Sequence, residues 1–420
     1  MKIHTKTLSN GLRLQAVEMP GTNVVTTLIL VGAGSRYEDI SIAGISHFLE
    51  HMFFKGAKKY KTPKAVSEAV DGFGGVFNAF TGKEYAGYYI KSGKENLTAS
   101  LDVLSDMMLH SRFDPIEIDK ERGVILEEMA MYLDAPMYQI SWDFEQLVFG
   151  DQPLGRDQIG TREVIQSVTQ KQFKDYQSSL YVPENTVITV AGAVNAKDLD
   201  LLEQYFPFES KKKTLTSASF DASLSTKKLK IREKKTEQYH ISFGVRALSE
   251  TDPAFPALEV LSTILGGNMS ARMFQHVREQ KGLCYSIRTQ VDEYTDTGLL
   301  TTRAGVKLDD VLKAVEAIRH EYDDIRNNGV SASELTKAKN YLCGKIDLST
   351  EDTEEVAHHY GKDTLLYAKH EDFEVWKKRI QSVTKVQVET LAKKILSPQH
   401  FRFSGIGPAL DEERLLKLIS

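Results

Sequence analysis

The chain has 420 residues, with 53 Lys+Arg against 58 Asp+Glu, 41% hydrophobic residues and 26% charged. That apolar content excludes a disordered polymer, and a formal charge of −5 gives no general pull toward nucleic acid or anionic lipid. The length exceeds what one hydrophobic core usually serves, so two domains of roughly 200 residues each are expected.

The opening run MKIHTKTLSNGLRLQ has no apolar h-region, and no stretch of about 18 apolar residues follows it. Neither a signal peptide nor a membrane span is expected. Cys284 and Cys343 are too few for a disulfide framework, which points to the reducing cytoplasm.

Asn10-Gly11, set between the alternating apolar runs of Thr7 to Met19, predicts a hairpin with a type I′ turn. The β-branched run from Val24 to Val31 predicts a strand. His47-Phe48-Leu49-Glu50-His51 then reads H-x-x-E-H. On a helix, residues four apart share a face, so His47 and His51 can both reach one ion. Glu50 shares that face and can hydrogen-bond a water there without being a ligand. Ile45, Leu49 and Met52 fall on another side and supply the core face. The order inverts that of the thermolysin motif.

Thr62-Pro63 and Asp114-Pro115 each place a capping residue ahead of a proline at the first helical position, so each opens a helix. The second helix offers Glu121, Glu127 and Glu128 as the third ligand a catalytic zinc requires. Seven residues turn a helix by about 700°, so Glu121 and Glu128 share a face while Glu127 points about 100° away. That favours Glu128 as the ligand, with Glu121 as a supporting carboxylate behind it.

Ser210 to Lys228 is rich in Lys, Ser and Thr without apolar period, and reads as a linker. Its central place suggests duplication. Ile165-Gln166-Ser167-Val168-Thr169 recurs 215 residues on as Ile380-Gln381-Ser382-Val383-Thr384, and Pro183 and Gly192 meet Pro398 and Gly407 at that offset. Gly56 and Gly87 meet Gly267 and Gly298 at an offset of 211. The expected fold is α+β: two homologous domains, each a largely antiparallel sheet packed on helices, with residues 1–208 and 229–420 joined by a linker over 209–228. The second copy sets Ala338 opposite Glu121 and Lys345 opposite Glu128, and near Gly267 no histidine stands where His47 and His51 would be. One metal site per chain follows. His358-His359 has no evident third ligand, and adjacent histidines diverge by about 100° on a helix.

The run GSRYEDISIAGISHFLEHMFFKGAKKY, with ERGVILEEM further on, resembles the pitrilysin, insulysin and mitochondrial processing peptidase family of zinc peptidases, closest to its two-domain bacterial branch. The resemblance implies one zinc ion per chain held by His47, His51 and Glu128, Glu50 as general base, and Glu121 in support. FGGVFNAFTGKEYAGYYI is similar to the family's substrate edge strand, which implicates Asn78, Ala79 and Phe80 in pairing with a peptide backbone. REQKGLCYSI resembles the family's Arg and Tyr seven apart, here Arg278 and Tyr285, with Tyr285 on the substrate carbonyl. The implied protein is a cytoplasmic metalloendopeptidase acting on peptides or unfolded segments as a homodimer, without nucleic-acid or membrane partners. The alternative is a catalytically silent structural or peptide-binding homologue.

Overall fold

The computed structural model describes residues 1–419, and they divide into two compact units. The first comprises 1–130, 157–218 and 347–371; the second comprises 131–156, 219–346 and the described residues from 372 onward. The units therefore differ from the contiguous halves 1–208 and 229–420, because each takes a helical segment from the other half. Residues 210–221 carry no helix or strand. Among the described residues no helix is long and apolar enough to cross a membrane.

The first unit holds a six-stranded sheet. Its strands are β1 (Lys2–Thr7), β2 (Arg13–Glu18), β3 (Val24–Val31), β4 (Val76–Thr81), β5 (Ala86–Gly93) and β6 (Thr186–Gly192), arranged in the order β1-β2-β6-β3-β5-β4. All neighbours are antiparallel except β2 and β6. The β1–β2 hairpin forms, but not through a type I′ turn. The amide of Gly11 donates to the carbonyl of Leu8, and Gly11 alone takes a left-handed backbone, at φ 92°. The Asn10 side chain accepts from the amide of Leu12 and donates to the carbonyl of Phe208. Those bonds hold Asn10 out of the second left-handed position that the shorter turn requires.

The second unit repeats the topology. Its strands are β7 (Leu229–Glu233), β8 (Tyr239–Ala247), β9 (Cys284–Glu293), β10 (Gly298–Val306) and β11 (Arg402–Gly407), in the order β7-β11-β8-β10-β9, and β7 and β11 are the parallel pair. The sequence repeat also marks equivalent caps. Thr169 and Gln172 close a capping box on helix Gln170–Leu180, and Thr384 and Gln387 close one on helix Lys385–Ile395.

Both exchanged helices are anchored by polar contacts as well as packing. Helix Thr353–Tyr367 lies on the first sheet, where the Thr353 and Thr26 hydroxyls are 2.7 Å apart and Lys91 pairs with Asp352 at 2.6 Å. Gly361 allows the close approach, since a Cβ there would meet Leu30 at 2.9 Å. Helix Pro136–Phe149 joins the second sheet through buried Asp143, which takes two hydrogen bonds from Arg232 at 2.8 and 2.7 Å.

Candidate metal centre

Helix Ile45–Phe53 starts at Gly44, whose backbone lies at φ 97°. A side chain there would strike the carbonyl of Ile159 at 2.6 Å, so only glycine fits. The Glu38 carboxylate accepts from the amides of Gly44 and Ser46 at 2.7 and 2.8 Å, an acidic cap delivered from outside the helix. Ile45, Phe48, Leu49, Met52 and Phe53 are fully buried. Burial of each large side chain contributes roughly 1.5–3 kcal/mol. This face fixes the rotation of the helix and leaves His47, Glu50 and His51 on the other side.

The two imidazoles meet edge to face with centroids 4.8 Å apart. Helix Pro115–Asp134, opened by Asp114 accepting from the amide of Ile116, brings Glu128 to them. Glu128 Oε2 lies 3.6 Å from His47 Nε2 and 3.5 Å from His51 Nε2. Donor atoms of the three residues fall within 4.8 Å of one another, the one such group among the described residues. Zinc–nitrogen and zinc–oxygen bonds of about 2.1 Å place tetrahedral donors about 3.4 Å apart. The two measured edges fit that requirement. Glu127 is exposed and stands outside the group.

Glu121 sits behind the histidine. Its Oε1 accepts from His51 Nδ1 at 2.9 Å and its Oε2 pairs with Lys55 at 2.5 Å, so Nδ1 is taken up by Glu121 and Nε2 is the ring nitrogen turned toward Glu128. Burial alone would raise the Glu121 carboxyl; the bonds from His51 and Lys55 outweigh it and hold the carboxyl below its usual range. Burial would lower His51, yet Glu121, Glu128 and Glu50 together hold it above the ordinary value. His47 is pushed down to about 4 by burial and by His51, which keeps it neutral as a ligand must be. Three carboxylates around two imidazoles make a centre that favours a cation.

Glu50 is not part of the donor group. Burial raises its carboxyl, and Glu128 adds to the rise. Its Oε2 accepts from the Thr81 hydroxyl at 2.5 Å, which fixes the carboxylate beside the donors. Thr81, Lys55 and Glu38 are the residues that sequence reasoning missed. Thr81 ends β4, and only its distance from Glu50 in the fold shows the link.

The other expected residues have definite places. Asn78, Ala79 and Phe80 lie on β4, the terminal strand of the sheet, paired on one side with Tyr89, Tyr88 and Gly87. Arg278 and Tyr285 belong to the second unit. Arg278 stands in the last turn of a π-helix, Met273–Gln280, with its guanidinium 4.3 Å from the Phe274 ring centre and 5.8 Å from that of Tyr285. Tyr285 is the second residue of the terminal strand β9 and is 78% exposed. In helix Phe255–Gly266, the counterpart of the motif helix, Leu258 and Ser262 stand 211 residues beyond His47 and His51. His358 meets the Tyr85 hydroxyl, and His359 meets the Glu371 carbonyl, so the two histidines diverge.

Residues 14–162 match the family model described as insulinase, peptidase family M16, and residues 167–342 match the one described as the peptidase M16 inactive domain. A protein of Bacillus subtilis strain 168 named as a zinc protease is 35% identical over 96% of this chain and 98% of its own length. The mitochondrial-processing peptidase subunit beta of Dictyostelium discoideum is 29% identical over 96% of this chain and 88% of its own. The crystal structure of a protease from Helicobacter pylori superposes with a TM-score of 0.90 at 22% identity, covering 97% of this chain and 99% of that one. The chain belongs to the M16 family of peptidases, the insulinase family.

Proposed function

We propose that the protein is a zinc-dependent metalloendopeptidase hydrolysing peptides or unfolded segments. One observation carries the reading: His47, His51 and Glu128 converge at ion-binding spacing with Glu50 held beside them. His47, His51 and Glu128 would hold the zinc ion, which would supply the Lewis acidity that acidifies water and polarises the scissile carbonyl. Glu50 takes the proton of the attacking water and delivers it to the departing amine. Thr81 keeps the Glu50 carboxylate oriented, and Glu121 holds the His51 ring. β4 supplies main-chain hydrogen bonds to an extended substrate through Asn78, Ala79 and Phe80. The chain works as a homodimer in the cytoplasm. Two buried free cysteines fit that compartment.

The test is zinc stoichiometry measured beside cleavage of an unbiased peptide mixture. One zinc per chain is expected, with cleavage abolished by a chelator and restored by zinc. Zinc-independent peptide binding without cleavage would identify a silent homologue instead.

Arg278 and Tyr285 position the substrate in this reading, Tyr285 donating to the developing oxyanion. Arg278→Ala and Tyr285→Phe should each lower kcat/KM by roughly 10- to 100-fold with zinc content unchanged. Because Tyr285 is 78% exposed, loss of its hydroxyl should leave the thermal midpoint in place. Unaltered kcat/KM in both variants would remove the pair from the mechanism.

A further inference from the structure

Side chains of a strand alternate between its two faces, and on β4 the faces meet different helices. Phe77 and Thr81 point to the motif helix: the Phe77 ring lies 5.5 Å from that of Phe54, at the end of this helix, and Thr81 bonds Glu50. Phe80 points the other way. Its ring covers Gly87, where a Cβ would come within 2.3 Å of it. On that side Phe80 meets His358 at 5.6 Å and Tyr85 at 5.9 Å between ring centres. Tyr85 and His358 rings are 5.7 Å apart, and the Tyr85 hydroxyl lies 3.1 Å from His358 Nε2. All three side chains are half-buried, so each leaves part of its ring reachable. His358 comes from helix Thr353–Tyr367, the segment that the second half of the chain lends to the first unit.

We infer that His358, together with Phe80 and Tyr85, forms a side-chain subsite on the helix 353–367 face of β4, selecting an apolar or aromatic residue of the substrate. The inference rests on the peptidase reading above and on addition of the peptide along β4. A peptide added to this terminal strand continues its alternation, so every second side chain faces the Phe80, Tyr85 and His358 rings. The three rings are inclined to one another (Phe80 and Tyr85 at 89°, Phe80 and His358 at 60°, Tyr85 and His358 at 46°) and offer edges and faces together, an arrangement in which aromatic groups gain beyond simple burial. The Tyr85–His358 contact holds the imidazole in one orientation. The sequence repeat does not foresee this, because the residue stands some 280 positions from the strand it serves.

The experiment uses the full-length, zinc-loaded protein and a peptide library varied at each position around one cleaved bond. Wild type should prefer an apolar or aromatic side chain at one position on this face. His358→Ala should reduce that preference about 10-fold, through KM, while peptides carrying a small residue there are cut as before and zinc content is unchanged. His358→Phe should retain the preference, since it keeps a ring. His358→Gln should lose it while keeping a partner for Tyr85, and this pair decides the matter if the alanine variant does not fold. Equal losses across all peptides, or an unaltered profile in His358→Ala and His358→Gln, would overturn the subsite. Absence of any zinc-dependent cleavage by the wild type would instead overturn the peptidase reading, and the subsite with it.

Discussion

Glu50→Gln should retain zinc, fold and thermal midpoint, yet lose at least about 100-fold in kcat, the low end of what a positioned general base supplies. The Glu50 carboxylate is not one of the three converging donors, so the substitution leaves those donors alone. The amide is isosteric, and its carbonyl oxygen can still accept from the Thr81 hydroxyl that now bonds Oε2. What the amide cannot do is take a proton from the attacking water. Zinc content, midpoint and cleavage rate measured on one preparation separate this loss from a structural one. A variant keeping more than about a tenth of wild-type turnover would show that another group serves as base.

Local geometry was legible in the sequence wherever it repeats at the period of a single element. The 3.6-residue period alone put His47, Glu50 and His51 on one face and the core residues on another, and the helix Ile45–Phe53 keeps that division. The same period separated Glu128 from Glu127, one near the imidazoles and the other exposed. The proline-led helix starts at Thr62 and Asp114 also hold. What the sequence did not disclose depends on the third dimension. Thr81 reaches Glu50 across 31 positions, and Lys55 reaches Glu121 across 66. The exchange of helices has no local signature at all. A linker at residues 209–228 suggested contiguous halves, but the segment 347–371 covers the first sheet through Thr353, Asp352 and Gly361. A fragment ending at residue 208 would therefore expose a sheet face that the whole chain buries.

Glu128→Gln should weaken zinc binding by at least about 100-fold, the largest effect on the metal of any single carboxylate in the chain. The replaced oxygen lies 3.5–3.6 Å from both imidazole Nε2 atoms, and the change exchanges an anionic donor for a neutral one. Glu121→Gln removes a charge one step further out. It leaves all three donors but weakens the acceptor at 2.9 Å from His51 Nδ1, so a loss of about 10- to 100-fold is expected, as for other groups that orient a ligand. Glu127→Gln should bind zinc like the wild type, because that side chain is exposed on a different face. Competition with a chromophoric chelator at fixed pH ranks the three variants. The order 128, then 121, then 127 follows from geometry alone, since one oxygen lies beside both imidazoles, one is a hydrogen bond behind, and one points to solvent. Wild-type affinity in Glu128→Gln, with the loss appearing in Glu127→Gln, would mean that the helix presents its other carboxylate to the ion. The helix Pro115–Asp134 would then have to rotate by about 100° and withdraw buried Ile118, Ile125 and Met129 from the core, which would cost several kcal/mol.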